Sequence, residues 1–126
     1  MKATFLCDSE QKIRDVYDAG AVARLAALTD FDDTVCSRAD LIGGARDLRG
    51  VRWLFSTWKM PVLTEDEIRT YLPNLEALFY AAGTVQAFAR PFLHCGVRVF
   101  SAWAANAVPV AEYAAAQILL ANKGFF

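Results

Sequence analysis

Few residues in this sequence could do acid–base, nucleophilic or metal chemistry. His94 is the single histidine, and the cysteines Cys7, Cys36 and Cys95 lie far apart without a Cys-x-x-Cys pair. Zinc sites need several such ligands at close spacing, so this set excludes a structural zinc site. We expect His94 to lie at the surface or in packing, because no acidic residue stands at helical spacing from it.

A second group of candidate residues follows a predicted strand. Trp58 and Met60 come directly after the apolar run 51–57, at the strand end where parallel sheets bind their ligands. Their side chains could form an apolar wall that selects a substrate side chain. Packing in the core or in an interface explains both residues equally well. Lys59 between them could attract an anion, although a single loop lysine is usually solvated.

The segments that must position these residues alternate between strand-like and helix-like, which favours a parallel sheet covered by helices. Strands are predicted at 4–7, 33–36, 51–57, 75–80 and 97–100. Apolar residues at helical spacing predict a helix over 13–28 and a brief one over 88–95. A capping box formed by Thr64 and Glu67 opens another helix, which ends before Pro73. The predicted fold is α/β: a flavodoxin-like, doubly wound parallel sheet of five strands with a long C-terminal helix.

That last helix is predicted from about 107 to 123. Pro109 then lies in its first turn, where a missing N–H costs nothing, and Gly124 follows its end. Only Glu112 and Gln117 are polar in the body of the helix. A helix that is apolar on nearly every side must be buried on nearly every side. We therefore expect it to pack against a second domain or a second subunit.

Composition narrows the class of partner. The 126 residues have a formal net charge of −1, and the 13 basic residues are scattered. A basic patch of the kind that binds nucleic acid or anionic lipid is absent, so we expect neither nucleic acid nor membrane as a partner. Cys7 and Cys36 lie in apolar runs as small hydrophobic residues, which fits a reducing cytoplasm. Asp8 interrupts the first apolar stretch too early for a signal peptide.

Three segments together resemble the D-isomer-specific 2-hydroxyacid dehydrogenases. They are Phe55-Ser56-Thr57-Trp58-Lys59-Met60-Pro61, then 75–83, and above all Ser101-Ala102-Trp103-Ala104-Ala105-Asn106-Ala107-Val108-Pro109-Val110-Ala111-Glu112-Tyr113. The last matches the family's Asn-Ala-x-x-Val-Ala-Glu pattern, which opens the helix joining its two domains. The resemblance implies that 1–105 is the flavodoxin-like substrate-binding domain. It also implies that 106–126 is the interdomain helix, which ends before the Rossmann domain that binds NAD.

The resemblance also implies site residues. Ala82 and Gly83 match a turn whose backbone N–H groups bind the substrate carboxylate, and small residues there allow a close approach and a backbone nest. Asn106 matches a position beside the substrate and the nicotinamide, and Val110 one that touches the cofactor. A plain strand-to-helix turn, a helix N-cap and a core valine are the simpler interpretations of these positions. Where the family continues the turn with polar residues, this chain has Val85 and Phe88.

What the sequence lacks limits the implied activity. Hydride transfer needs a proton-cycling group and a cation that polarises the carbonyl. In the family a histidine with a carboxylate and an arginine, from later in the chain, fill these roles. The Gly-x-Gly-x-x-Gly turn of a dinucleotide site is also missing, and Ile42-Gly43-Gly44-Ala45 does not replace it. We therefore expect these residues alone neither to bind NAD tightly nor to turn over a hydroxyacid.

The implied function is the N-terminal part of an NAD-dependent oxidoreductase that acts on the CH–OH group of a D-2-hydroxyacid, similar to a phosphoglycerate dehydrogenase. Its expected partners are a small 2-hydroxyacid or 2-oxoacid and a second copy, in a homodimer through the last helix. The alternative is a non-catalytic flavodoxin-like binding or oligomerisation module. A response-regulator receiver would need an Asp where Ser56-Thr57-Trp58 stands, and an acidic Asp8-Ser9-Glu10 would repel the phosphate of FMN.

Overall fold

The computed structural model describes all residues from Met1 to Phe126 as an α/β fold with five strands and six helices. The strands are β1 (Lys2–Leu6), β2 (Asp30–Cys36), β3 (Trp53–Ser56), β4 (Ala77–Tyr80) and β5 (Arg98–Ser101). The helices are α1 (Glu10–Val16), α2 (Ala19–Leu28), α3 (Arg38–Ile42), α4 (Glu65–Tyr71), α5 (Ala89–His94) and α6 (Trp103–Asn122). All strands are parallel, in the order β2-β1-β3-β4-β5. The predicted flavodoxin-like sheet and long C-terminal helix are confirmed.

The sheet separates two apolar cores. Successive side chains of a strand point to opposite faces, so the central strands supply both cores. Leu54 and Leu78 point to the larger core, which α3, α4 and α5 cover. Phe5 points to the smaller core, where Ile13 of α1 and the partly buried apolar residues of α2 pack. None of the helices combines the length and the apolar character that a membrane span requires.

Local capping explains most helix boundaries. The predicted capping box is confirmed, since the Thr64 hydroxyl accepts from the Glu67 N–H and the Glu67 carboxylate accepts from the Thr64 N–H at 2.9 Å. The prediction of one helix over 13–28 is wrong, because α1 ends at Val16 and α2 begins at Ala19. The Asp18 carboxylate accepts from the Ala21 N–H at 2.7 Å, and this new N-cap interrupts the apolar periodicity.

Strand β2 begins at Asp30, three residues before the predicted start. It pairs with β1 along its length, with a register shift between Thr4 and Phe5. The Thr4 hydroxyl donates to the carbonyl of Asp32 at 2.9 Å at this shift. The polar residues of β2 thus join the sheet through backbone hydrogen bonds. A prediction based on the spacing of apolar side chains cannot detect such residues as part of a strand.

Helix α6 differs from its prediction at its start. It begins at Trp103, so Pro109 lies inside the helix and not in its first turn. The alanine-rich segment before Asn106 is helical because alanine has the highest helix propensity. Asn106 is therefore not the N-cap, and its N–H donates the first intrahelical hydrogen bond, to the carbonyl of Ala102. The predicted domain boundary between 105 and 106 falls within this first turn.

No residue of α6 is buried. Its large apolar side chains are exposed along the whole helix: Trp103, Val108, Val110, Tyr113, Ile118 and Leu119. Helix α6 thus extends away from the sheet of its own copy, and its expected packing against a second domain or a second subunit stays a prediction.

Candidate functional site

The turn after β4, residues 81–84, lies at the carboxyl edge of the sheet and is held by hydroxyl groups from both neighbouring strand ends. Thr57, which follows β3, donates from its hydroxyl to the Ala81 carbonyl at 3.3 Å. Ser101, the last residue of β5, donates to the carbonyl of Ala82 at 3.0 Å and also to that of Gly83. We call residues 81–84 the β4 turn. The carbonyl groups of Ala81, Ala82 and Gly83 all accept a hydrogen bond from these neighbouring side chains.

This arrangement fixes the direction of the N–H groups of the β4 turn. Every peptide bond in the chain is trans, so an N–H points opposite to the carbonyl of the same peptide group. The carbonyls of Ala82 and Gly83 both face Ser101, and the N–H groups of Gly83 and Thr84 therefore both point away from it. Neither these two N–H groups nor that of Ala82 has an acceptor within the protein. The β4 turn thus presents adjacent free donors on one side.

The donors are arranged differently from the backbone nest expected from the resemblance. A nest needs a residue of left-handed conformation, and no residue of the β4 turn has a positive φ. Gly83 serves a different purpose. A Cβ atom at this position would lie 3.1 Å from the amide nitrogen Nδ2 of Asn106. Glycine therefore allows the Asn106 side chain to lie directly against the β4 turn, and two of the predicted site residues come together.

The N-terminus of α6 adds further donors beside the β4 turn. Ala102 offers no side-chain cap, and the N–H groups of Trp103, Ala104 and Ala105 have no acceptor. Such a helix end has a partial positive charge and binds anions well. The free N–H groups of the β4 turn, the Asn106 amide and this helix end together form a site with donors and no carboxylate among its named groups. We call it the carboxyl-edge site.

The remaining predicted site residues are placed differently. Trp58 is 48% exposed and follows Thr57, which contacts the β4 turn. Met60 is only 8% exposed and packs in the larger core, so it offers little surface to a ligand. Val110 is exposed on α6, one turn beyond Asn106. Of the predicted apolar wall, Trp58 alone is accessible.

Lys59 has a strained backbone. Its φ is 72°, in the left-handed region that a residue with a side chain seldom adopts. Two backbone hydrogen bonds hold this turn: the Met60 N–H donates to the Thr57 carbonyl at 3.0 Å, and the Asp8 N–H donates to the Lys59 carbonyl at 3.0 Å. The strain thus fixes the loop that presents Trp58.

The groups that could transfer protons near this edge stay protonated at neutral pH. Burial raises the pKa of the Cys7 thiol, which donates to the Trp58 carbonyl at 3.2 Å. Burial also raises the pKa of Tyr17, whose hydroxyl donates to the Ser56 carbonyl at 3.1 Å, and the pKa of Tyr80. Burial raises the pKa of Cys36 to about 11. The carboxyl-edge site can bind and orient an anion, and these residues supply no general base to it.

His94 has an acidic partner that its sequence neighbours did not indicate. Its Nδ1 lies 2.8 Å from the Glu65 carboxylate, which belongs to α4. The hydrogen bond to His94, followed by one from Arg69, lowers the pKa of Glu65. The imidazole is 65% exposed, and the pair joins the surfaces of two helices. No group of three or more possible metal ligands occurs in the structure.

Sequence reasoning missed the two hydroxyl groups that orient the β4 turn. Thr57 and Ser101 are hydroxyl residues at the ends of neighbouring strands, and this position is the signal that could have identified them. Comparisons of the chain with protein-family models, with curated proteins and with solved structures gave no match. The resemblance to 2-hydroxyacid dehydrogenases therefore depends on the quoted segments alone.

Proposed function

We propose that this chain is the N-terminal, substrate-binding part of an NAD-dependent oxidoreductase that acts on the CH–OH group of a D-2-hydroxyacid. The observation that supports this most directly is the pair of free N–H groups of Gly83 and Thr84, directed to one side by Ser101. A carboxylate has two oxygens that can each accept one such hydrogen bond. Bonds to a charged acceptor contribute about 1.5–3 kcal/mol each.

The remaining groups of the carboxyl-edge site suit the rest of such a substrate. The Asn106 amide can donate to the hydroxyl or oxo group at C2 and accept from it, because it has both functions. The positive end of α6 favours the negative charge of the carboxylate. Trp58 offers an apolar surface for the substrate side chain. A small 2-hydroxyacid or 2-oxoacid is therefore the proposed ligand.

Gly43 and Gly44 are not placed to form the phosphate-binding turn of an NAD site. Gly43 is the C-cap of α3, and Gly44 has a φ of 74° in the loop that follows, so this pair does not join a strand to a helix. The phosphate-binding turn of a dinucleotide site needs that position. We propose that a separate dinucleotide-binding unit holds NAD, with Val110 as the contact from this chain. The present residues bind and orient substrate, while the cofactor would accept the hydride.

Variants of Asn106 test this proposal. Asn106→Asp places a carboxylate beside the bound anion, and we expect the affinity for a 2-oxoacid such as pyruvate to fall by more than about tenfold. Gln117→Glu makes the same chemical change farther along α6 and serves as the matched control. Isothermal titration calorimetry measures both. Equal losses in the two variants, or no loss in either, would contradict a carboxylate site at Gly83 and Asn106.

A second measurement tests whether these residues bind substrate without catalysing its oxidation. The purified chain with NAD and a D-2-hydroxyacid should produce no NADH, recorded as absorbance at 340 nm, because the proton-cycling and cofactor-binding groups are not among its residues. Formation of NADH above the enzyme-free rate would contradict the proposal. The exposed α6 favours one further property, a homodimer formed through this helix.

A further inference from the structure

One face of the sheet is open over β4 and β5. The rings of Phe55, Phe79 and Phe100 stack across three adjacent strands on this face, with centroids 5.0 Å apart and interplanar angles of 14° and 10°. They line a groove of about 300 Å³ together with Tyr17 and residues 80–81 and 101–102. Phe100 remains 47% exposed. We call this surface the aromatic groove.

The topology explains why the aromatic groove is open. Helices α3, α4 and α5 cover one face of the sheet, whereas α1 and α2 cover only the β1 and β2 half of the other. The helix that follows β5 would complete this second face in a doubly wound fold. That helix is α6, but Ala102 is the only residue between β5 and α6. Since α6 extends away from the sheet, one copy of the chain leaves both the groove and the helix uncovered.

The exposed area matches a protein interface. The chain has a solvent-accessible surface of 7609 Å². A folded monomer of 13.9 kDa is expected to expose about 6,700 Å². The excess of about 900 Å² per chain is close to the roughly 800 Å² that each partner buries in a stable interface of standard size.

We propose that α6 of a second copy of this chain lies in the aromatic groove, and that the two copies exchange this helix reciprocally. Exchange of an identical element is a low-cost route to a two-fold symmetric dimer. Each copy keeps the first turn of its own α6, with Asn106 against Gly83, and contributes the later turns to its partner. The inference builds on the homodimer proposed above and names the surface that α6 covers. It needs no substrate, so its failure would leave the proposed substrate site untouched.

Charge and length support this placement. Glu112 is the only charged residue of α6, and Arg98 is the charged residue that alternation places on the face of Phe100. Neither Arg98 nor Glu112 takes part in an ion pair within one copy. Arg98 lies about 13 Å along the strand from Ala102. Glu112 lies about 13.5 Å along the helix from Trp103. A helix antiparallel to β5 that begins level with Ala102 therefore brings Glu112 level with Arg98.

Light scattering coupled to size-exclusion chromatography tests the dimer. We expect twice the chain mass of 13.9 kDa for the wild type at micromolar concentration. Phe100→Arg should weaken dimerisation roughly a hundredfold, because it places a charge in the centre of the groove. Val62→Arg, which also puts a charge in place of an exposed apolar residue, is the matched control and should remain dimeric. A monomeric wild type, or a dimer that Phe100→Arg leaves intact, would overturn the proposal.

Charge reversal at Arg98 and Glu112 tests the dimer without disturbing the fold. Both side chains are exposed in one copy, so their substitution should leave the folded chain intact. Arg98→Glu and Glu112→Arg should each raise the dissociation constant of the dimer about tenfold, and the double variant should restore it. A double variant as weak as the single ones would contradict the placement of Glu112 beside Arg98.

A longer hinge distinguishes helix exchange from simple pairing of two α6 helices. Four residues, Gly-Ser-Gly-Ser, inserted after Ala102 give a connection of ordinary length, with which α6 can fold back on its own sheet. We expect this variant to be a monomer that keeps its aromatic groove covered, measured as no increase in fluorescence of a dye that binds apolar surface. An insertion variant that stays dimeric would overturn the exchange.

Discussion

Replacing Ser101 by alanine should separate the role of the β4 turn from the stability of the fold. Its hydroxyl donates to the carbonyls of Ala82 and Gly83, and this contact directs the N–H groups of the turn away from β5. Ser101→Ala removes the donor and leaves both carbonyls without a side-chain partner. The turn then loses the restraint that holds two N–H groups on one side.

The size of the effect follows from the hydrogen bonds lost. A neutral, partly buried hydrogen bond contributes about 1 kcal/mol net, and with two acceptors affected we expect a loss of about 1–2 kcal/mol in the free energy of unfolding. The entropy of unfolding of a chain of 126 residues is about 0.26 kcal/mol/K, so Tm should fall by about 4–8 °C. If the two N–H groups lose their common direction, the affinity for a 2-oxoacid should fall about tenfold, which corresponds to the loss of one charge-assisted hydrogen bond.

Ser56→Ala is the matched control. The Ser56 hydroxyl is fully buried and donates to the Leu6 carbonyl, so its loss also destabilises the fold. Only the Ser56 backbone bonds to the β4 turn, through the Ala81 N–H, and the substitution keeps that bond. Differential scanning calorimetry gives Tm, and isothermal titration calorimetry gives the affinity. We expect both variants to lower Tm and only Ser101→Ala to weaken binding. A Ser101→Ala variant that binds as tightly as the wild type would refute the argument that Ser101 orients the donors.

Four further predictions concern stability. Lys59→Gly should raise the free energy of unfolding by about 0.5–1 kcal/mol in denaturant titrations, because glycine adopts a φ of 72° without strain; a loss of stability would contradict this. Pro109→Ala should slow amide hydrogen exchange throughout α6, because a proline inside a helix costs about 3 kcal/mol; unchanged exchange would argue against an interior Pro109. Hydrogen bonds from the Ser37 side chain and backbone lower the pKa of Asp40, so this contribution to stability is present above pH of about 4 and is lost as the pH falls further; Asp40→Asn should flatten the acid side of a Tm–pH profile. Burial raises the pKa of Cys36 to about 11, so stability should decline as the pH rises from about 9 to 11, and Cys36→Ala should reduce that decline.

The elements of the sheet could be predicted because each one depends on residues that are close together in the sequence. Central strands such as β3 and β4 are short apolar runs, and the Thr64–Glu67 capping box has a fixed spacing. The start of α6 could not be predicted as readily. Asn106 followed by Pro109 resembles a helix start, and only the path of the chain from β5 shows that the alanines before Asn106 are already helical.

The candidate site was predictable only in part, because it depends on contacts between distant residues. The segment 75–83 and Asn106 were identified, but the reason for Gly83, the approach of the Asn106 side chain, exists only in three dimensions. Met60 and Trp58 are two residues apart, yet one is buried and the other exposed, since the left-handed Lys59 between them turns the chain. The Glu65 partner of His94 is 29 residues away and on another helix, beyond any local pattern.

The central claim is that the N–H groups of Gly83 and Thr84 bind the carboxylate of a 2-hydroxyacid or 2-oxoacid. Titration of the ¹⁵N-labelled chain with pyruvate, followed by two-dimensional NMR, measures these two amides directly. We predict a saturable downfield shift of both amide protons with pyruvate and none with pyruvamide, which lacks the carboxylate. Unshifted resonances of Gly83 and Thr84 at saturating pyruvate, or equal shifts with the amide, would contradict the claim.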